Sequence, residues 1–297
     1  GAVWQDHKGI TWIDAGTPEA WSYNVQIARA SHELGFDEIN FDYIRYPSDG
    51  NMVDIAFPVS GTRERSETLK VFFAYIDKEL RGGRATGVQK PQPIISAPNA
   101  TSVPSVAATP AVSAASTPRY TLAADPAFDD LAREYDLHID PSAARIADAS
   151  VDGKKITTDA DKAPRPVISA DLFGFVTTNN DDLGIGQVLE KIAPYVDFIG
   201  PMVYPSHYPK NFLGYANSAA HPYEVIQYTM DGGTKKLKAI GLDPLKLRPW
   251  LQDFNLGATY TADMVRAQIK ATYDVGLTGW MLWNASNVYT KGGSLSI

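Results

Sequence analysis

The chain has 297 residues, 44% of them hydrophobic and 21% charged, enough apolar material for one large core or two small ones. Its formal net charge of −7 gives the chain as a whole no basic footprint for nucleic acid. The absence of cysteine excludes disulfides, thiolate metal sites and a cysteine nucleophile, and leaves the compartment open. No apolar run reaches the roughly 18 residues of a membrane-spanning helix, and no signal peptide is visible. The chain opens Gly1-Ala2-Val3-Trp4 without an initiator Met, so it reads as processed, engineered or partial, and missing targeting signals carry little weight.

Residues 1–16 read as a loop and short extended piece rich in aromatics. Thr17 and Pro18 open a helix whose apolar residues recur at helical spacing (Trp21, Val25, Ala28) and which Gly35 closes. An alternating strand is expected over about 37–45, with Asn40 and Asp42 on one face and Ile39, Phe41 and Tyr43 on the other. A second helix, about 62–80, carries Leu69, Phe72, Phe73, Ile76 and Leu80 in a single stripe, and Gly82-Gly83 ends it. Residues 84–165 read as a largely disordered insertion within one domain. Gln89 to Pro118 is Pro, Ala, Ser, Thr and Val with almost no charge, and one short helix is expected at 126–137. Order is expected to return at Pro166, with a strand, Val167 to Asp171, ending in an acid. A helix follows near 184–193, then a strand from Asp197 to Tyr204. A helix from Pro222 to about 240, interrupted at Gly232-Gly233, precedes a strand from Leu247 to Phe254. A helix at about 262–275 leads to a last strand, Gly279 to Asn284, and the final dozen residues read as frayed.

Five alternations of helix and strand imply parallel strands with crossover helices. A doubly wound nucleotide binder would show a glycine-rich phosphate loop after its first strand; Gly184-Ile185-Gly186 follows a loop instead. A (β/α)8 barrel of TIM type fits better, because functional residue types end several different strands.

Asp42 and Asp171, each at a strand end, are the candidate catalytic carboxylates, in the paired arrangement that glycosidic chemistry requires. The structural alternatives are a turn cap or an Arg45 partner for Asp42, and a helix cap for Asp171. Asn40 and Arg45 flank Asp42, and charge pairing from Arg45 would favour its ionised form. Tyr204 and His207 lie in Met-Val-Tyr-Pro-Ser-His-Tyr, where the tyrosine can donate a hydrogen bond and the histidine can bind a hydroxyl. Trp250 and Gln252 share a face of one strand, and Asp253 is the reserve for the second carboxylate. Trp283 and Asn284 end the last strand. Core packing is the ordinary role of an aromatic, but Tyr204, Trp250 and Trp283 at three strand ends favour a sugar-stacking site. No metal site is expected: Asp181-Asp182 and Asp159-Ala160-Asp161 lack an EF-hand register, and no His pair stands at helical spacing. No G-x-S-x-G elbow is present, and no cofactor is needed.

Gly35 to Gly50 (GFDEINFDYIRYPSDG), VDFIGPMVYPSHYPKNF, RPWLQDF and GWMLWNASNVYT, with the early Trp4, Asp6, Gly9, Trp12 and Asp14 and the segment DDLGIGQVLEKIAPYVD, resemble a bacterial family described as a putative glycosyl hydrolase domain, placed in the TIM-barrel glycosidase clan. The resemblance covers residues 1–50 and about 166–290. It implies a (β/α)8 barrel with a glycoside hydrolase-like cleft, and brings no defined substrate. Asp42 is similar in place to the nucleophile on the fourth strand of retaining α-amylase-type barrels, and Asp171 stands on the fifth strand, where those barrels carry a glutamic acid. Members have about three further βα units before the Trp-x-Asp segment. The chain is therefore expected to be an incomplete barrel with two unpaired sheet edges, poorly stable alone.

The expected function is a glycoside hydrolase acting on a bacterial polysaccharide or cell-envelope glycan, extracellular or in the cell envelope. The rival is a non-catalytic carbohydrate-binding protein on the same scaffold. A hydrolase or transferase of another class on the same rim is a third reading.

Overall fold

The structure, a computed structural model, describes residues 2–82, 150–151, 154–155 and 165–293. Helix α1 (Pro18–Glu33) starts at a proline, whose fixed φ suits a first turn and whose missing N–H is no loss there. Strand β1 follows (Glu38–Phe41), then α2 (Arg65–Arg81), which Gly82 closes in the left-handed conformation at φ +73. After these come β2 (Val167–Phe173), the single-turn α3 (Leu189–Ile192) and β3 (Phe198–Met202). Helix α4 (Pro222–Ala239), β4 (Trp250–Gln252), α5 (Ala262–Asp274) and β5 (Met281–Trp283) complete the set. A separate two-residue antiparallel ladder pairs Ser150–Val151 with Lys154–Lys155. The expected helix at 126–137 and the Pro/Ala/Ser/Thr stretch lie outside the described residues.

The five strands form one sheet, all parallel, in the order β1-β2-β3-β4-β5. That monotonic order is the barrel's, since a doubly wound sheet reverses direction at a switch point. The sheet is also curled. Strands β1 and β4 would stand about 14 Å apart in a flat sheet, yet the carboxylate of Glu38, on β1, and the guanidinium of Arg248, two residues before β4, form a two-pronged ion pair across the intervening strands. Arg248 also lies over the ring of Phe198 on β3, 4.5 Å from its centroid. The architecture is α/β with a half-barrel sheet.

The convex face carries the core. Phe41, Ile168, Ala170, Leu172, Ile199 and Leu251 pack in one cluster with Trp21 and Val25 of α1, Phe72, Phe73 and Ile76 of α2, Ile226 and Met230 of α4, and Val265 and Ile269 of α5. The stripe expected on α2 is the one buried. A smaller cluster of Tyr46, Ile55, Phe57 and Leu69 receives Trp4 and Met52 from its margins. There the N-terminal segment is tied down: Asp14 accepts hydrogen bonds from Val59 N (2.8 Å), Ser60 N (2.9 Å) and Ser60 Oγ (2.6 Å).

Four expectations need correction. The first strand ends at Phe41 rather than near 45, because Tyr43 takes a left-handed backbone (φ +59) that no strand can continue. The helix expected over 184–193 is one turn, since Gly184 and Gly186 have positive φ (+68 and +83) and hold a loop there. Helix α4 is unbroken at Gly232 and Gly233. The two glycines serve close packing: a Cβ at Gly232 would stand 2.7 Å from the Thr177 carbonyl oxygen, and one at Gly233 3.0 Å from Leu247 Cδ1. The C-terminal segment is anchored as far as Thr290, whose N–H and hydroxyl both donate to the Asp253 carboxylate.

Candidate active site

Strand alternation decides which side chains line the concave side. Ile168, Ala170 and Leu172 face the core, so Ser169 and Asp171 face the other way. By the same rule Glu38 and Asn40 point inward from β1, with Asp42 next on that face, just past the strand. The candidates other than Trp250, which opens β4 opposite Met202 at the end of β3, stand near or beyond the C-terminal ends of parallel strands, the rim where α/β enzymes carry their chemistry.

Asp171 is the centre of the arrangement. Its Oδ2 accepts from Asn40 Nδ2 at 2.8 Å and its Oδ1 from Trp250 Nε1 at 2.7 Å. Asn40 is held in turn by the hydroxyl of Ser169, which donates to its Oδ1 at 2.8 Å. One polar chain therefore runs from β1 to β2 to β4. Asp171 is 6% exposed. Burial pushes its carboxyl above the usual aspartate range, and the nearby charge of Asp42 adds to that push; the hydrogen bonds from Trp250 and Asn40 and the charge of Arg248 oppose it without prevailing.

Asp42 is exposed, and its Oδ1 accepts from the N–H of Tyr43 at 2.6 Å. The left-handed turn at Tyr43 makes that bond and leaves the Tyr43 ring 67% exposed beside the carboxylate. Asp42 also borders a groove along the free edge of β1, lined by Asn24, Ile27, Phe36 and Ile39. Arg45 does not brace Asp42. Its guanidinium bonds the Tyr46 carbonyl (3.1 Å) and Ser48 Oγ (2.5 Å) and lies over the ring of Trp12.

Aromatic rings frame the carboxylates. Tyr204 is a buried residue, and its hydroxyl is pushed well above the ordinary tyrosine range, first by burial and then by the charges of Asp171 and Asp42, which places it in the same field. Tyr204 meets His207 and Phe254 edge to face, with centroids 5.3 and 5.5 Å away. His207 is exposed on this rim. Trp250 and Trp283 form a T-shaped pair at 5.9 Å, and Trp283 is 44% exposed.

The remaining candidates are tied to the scaffold. Gln252 is fully buried. Its Oε1 accepts from Ser206 N at 3.0 Å and its Nε2 donates to the Phe254 carbonyl at 2.9 Å. Asp253 is buried and holds Thr290 by two bonds, 2.8 and 2.5 Å. Asn284 donates to the carbonyls of Asp253 and Val288 and accepts from Ser286 N. The geometry thus joins Asn40, Asp42, Asp171, Tyr204 and Trp250, and leaves Gln252, Asp253 and Asn284 as fasteners.

Three contributors escape a reading that looks only for reactive side chains. Ser169 shares the inward face with Asp171, and alternation alone could have flagged it. Gly200 lies opposite Asp171 on β3; a Cβ there would stand 2.5 Å from Asp171 Oδ1, and a glycine inside a strand is the sequence sign of such close approach. Phe254 carries only its aromatic character as a signal. Among the described residues, no group of three or more His, Cys, Asp or Glu is placed to hold a metal ion, and no helix is long and apolar enough to cross a membrane.

The chain matches the family described as "Putative glycosyl hydrolase domain" over residues 1–88 and 159–289, well over half its length. No match is found among curated proteins. Among solved structures it is similar to the glycoside hydrolase domain of PgaB (BpsB) from Bordetella bronchiseptica, at 13% identity and a TM-score of 0.32, with 53% of this chain and 34% of that one covered. The chain thus spans about a third of the length of that structure.

Proposed function

The chain belongs to the putative glycosyl hydrolase domain family, and on that premise we propose that it hydrolyses a glycosidic bond in a bacterial polysaccharide or cell-envelope glycan, with Asp171 as general acid and Asp42 as nucleophile or electrostatic stabiliser. The observation that carries the assignment is the contrast between the two carboxylates. Asp171 is buried and pushed toward its protonated form, while Asp42 is exposed beside it. A carboxyl that keeps its proton can protonate a departing glycosidic oxygen. An exposed carboxylate on the neighbouring strand can attack the anomeric carbon or stabilise the oxocarbenium-like transition state. Trp283 and the half-buried Trp250 supply apolar faces against which a sugar ring can lie, whereas Tyr204 is buried. A glycan of this kind puts the working protein outside the cell or in its envelope.

The test is a panel of bacterial glycans incubated with wild type, Asp42→Asn and Asp171→Asn, reading new reducing ends. Loss of either carboxylate should lower the rate by roughly 10²–10⁴-fold. Asp171→Asn should recover most on aryl glycosides whose leaving group needs no proton. Retained anomeric configuration would indicate carboxyls about 5–5.5 Å apart, and inversion about 6.5–9.5 Å. Glycan retention without turnover, unchanged in both variants, would replace the hydrolase reading with a binding module.

A further inference from the structure

Both hydrogen bonds to the Asp171 carboxylate are donated by N–H groups. Trp250 offers an indole N–H, which has no acceptor role. Asn40 offers its amide N–H, because its own acceptor oxygen is taken by the Ser169 hydroxyl at 2.8 Å. Ser169 is 2% exposed, so its hydroxyl is fixed inside the sheet. Trp250 reaches Asp171 across β3 because Gly200 leaves the passage open. A Cβ there would stand 2.5 Å from Asp171 Oδ1 and 3.0 Å from the indole nitrogen.

We propose that Trp250 and Ser169 are positioning residues for Asp171: Trp250 directly, and Ser169 through Asn40, hold its two oxygens with donors that cannot accept its proton, so the proton of the acid form is turned out to the rim beside Asp42. The assignment rests on the reading of Asp171 as the acid. A protonated carboxyl has one O–H to donate, and neither partner offers a lone pair to receive it. The titratable and charged groups whose fields reach Asp171 are Asp42 after β1 and Arg248 before β4, and Tyr204 after β3 feels the charge of Asp171 in return. Glu38 lies below, paired with Arg248. None of these forms a hydrogen bond to Asp171, which leaves the two N–H donors to set its orientation.

The experiment follows the Asp171 carboxyl by ¹³C NMR in the full chain, assigned by Asp171→Asn, through a pH titration of wild type, Trp250→Phe and Ser169→Ala. The phenylalanine keeps a ring and removes one bond to the ionised form. The Asp171 pKa should then rise by about one unit, the shift expected from losing a hydrogen bond to a charged group. Ser169→Ala frees the Asn40 amide to turn its oxygen toward the acid form, which should give a smaller rise. On any glycan the wild type cleaves, the alkaline limb of kcat/KM should move upward with the NMR titration in each variant. A titration within about 0.3 unit of wild type, in variants that melt as wild type does, would overturn the proposal. Should Trp250→Phe not fold, Ser169→Ala decides alone. If no glycan is cleaved, the hydrolase reading falls by itself and the NMR titration still decides whether these residues position the carboxyl.

Discussion

The two halves of one rim use the same residue types in opposite ways. On the β1–β2–β4 side, Ser169, Asn40, Asp171 and Trp250 bond one another through their side chains. On the β4–β5 side, Gln252, Asp253 and Asn284 bond mostly main-chain groups of loops that follow the strands. A carboxylate consumed by a loop N–H and a hydroxyl, as Asp253 is, closes a connection. A carboxylate held by side chains from two other strands, as Asp171 is, is aimed. Position at a strand end does not separate these roles; the identity of the bonding partners does.

That contrast can be broken by substitution. The largest loss of stability is expected for Asp253→Ala, about 3 kcal/mol by chemical denaturation, because two bonds to a charged group vanish and Thr290 is released. Gln252→Ala should lose about 2 kcal/mol, since it strands the Ser206 N–H and the Phe254 carbonyl. If either variant instead loses glycan turnover while keeping its stability, the β4–β5 side is chemical after all. Asp171→Asn tests the other side through pH. Burial and then the charge of Asp42 raise the native pKa above the unfolded value, so the ionised carboxylate weakens the fold once pH climbs through that window. The amide N–H of the variant meets a donor at Trp250 or Asn40, a cost that does not change with pH. Wild type should therefore gain on the variant as pH falls toward the ordinary aspartate value of 3.8. A difference that stays constant with pH would make Asp171 another fastener. The smallest effect on stability, within about 0.5 kcal/mol, is expected for the half-exposed Trp283→Ala, with weaker retention on a glycan column as its signature.

Strand faces were legible from alternation alone. It placed Asn40 with Asp42 on one face, the same rule puts Ser169 with Asp171, and the parallel order followed from the repeated helix and strand units. The bonds that define the site were not legible. Asn40 and Trp250 lie 131 and 79 residues from Asp171 in the chain, and no local pattern reports such pairs. Arg45 invites pairing with Asp42 by proximity in sequence, but the left-handed turn at Tyr43 sends the chain elsewhere. Gly232-Gly233 reads as a helix break by propensity, yet contact with Thr177 makes it the place where only glycine fits. Propensity ranks a residue in an isolated helix; packing decides it in a folded one.

The Glu38–Arg248 pair acts as a tie-rod under the rim. It joins β1 to the start of β4 below Asn40 and Trp250, so it sets how closely the two donors converge on Asp171. Burial works against the ionised form of Glu38, but the bonds and charge of Arg248 prevail and hold its carboxyl below the usual 4.5. The brace is therefore complete above that value and slackens only as pH falls through the lowered one. A carboxyl that never meets a sugar thus keeps the acid in register in surroundings sour enough to protonate ordinary surface glutamates.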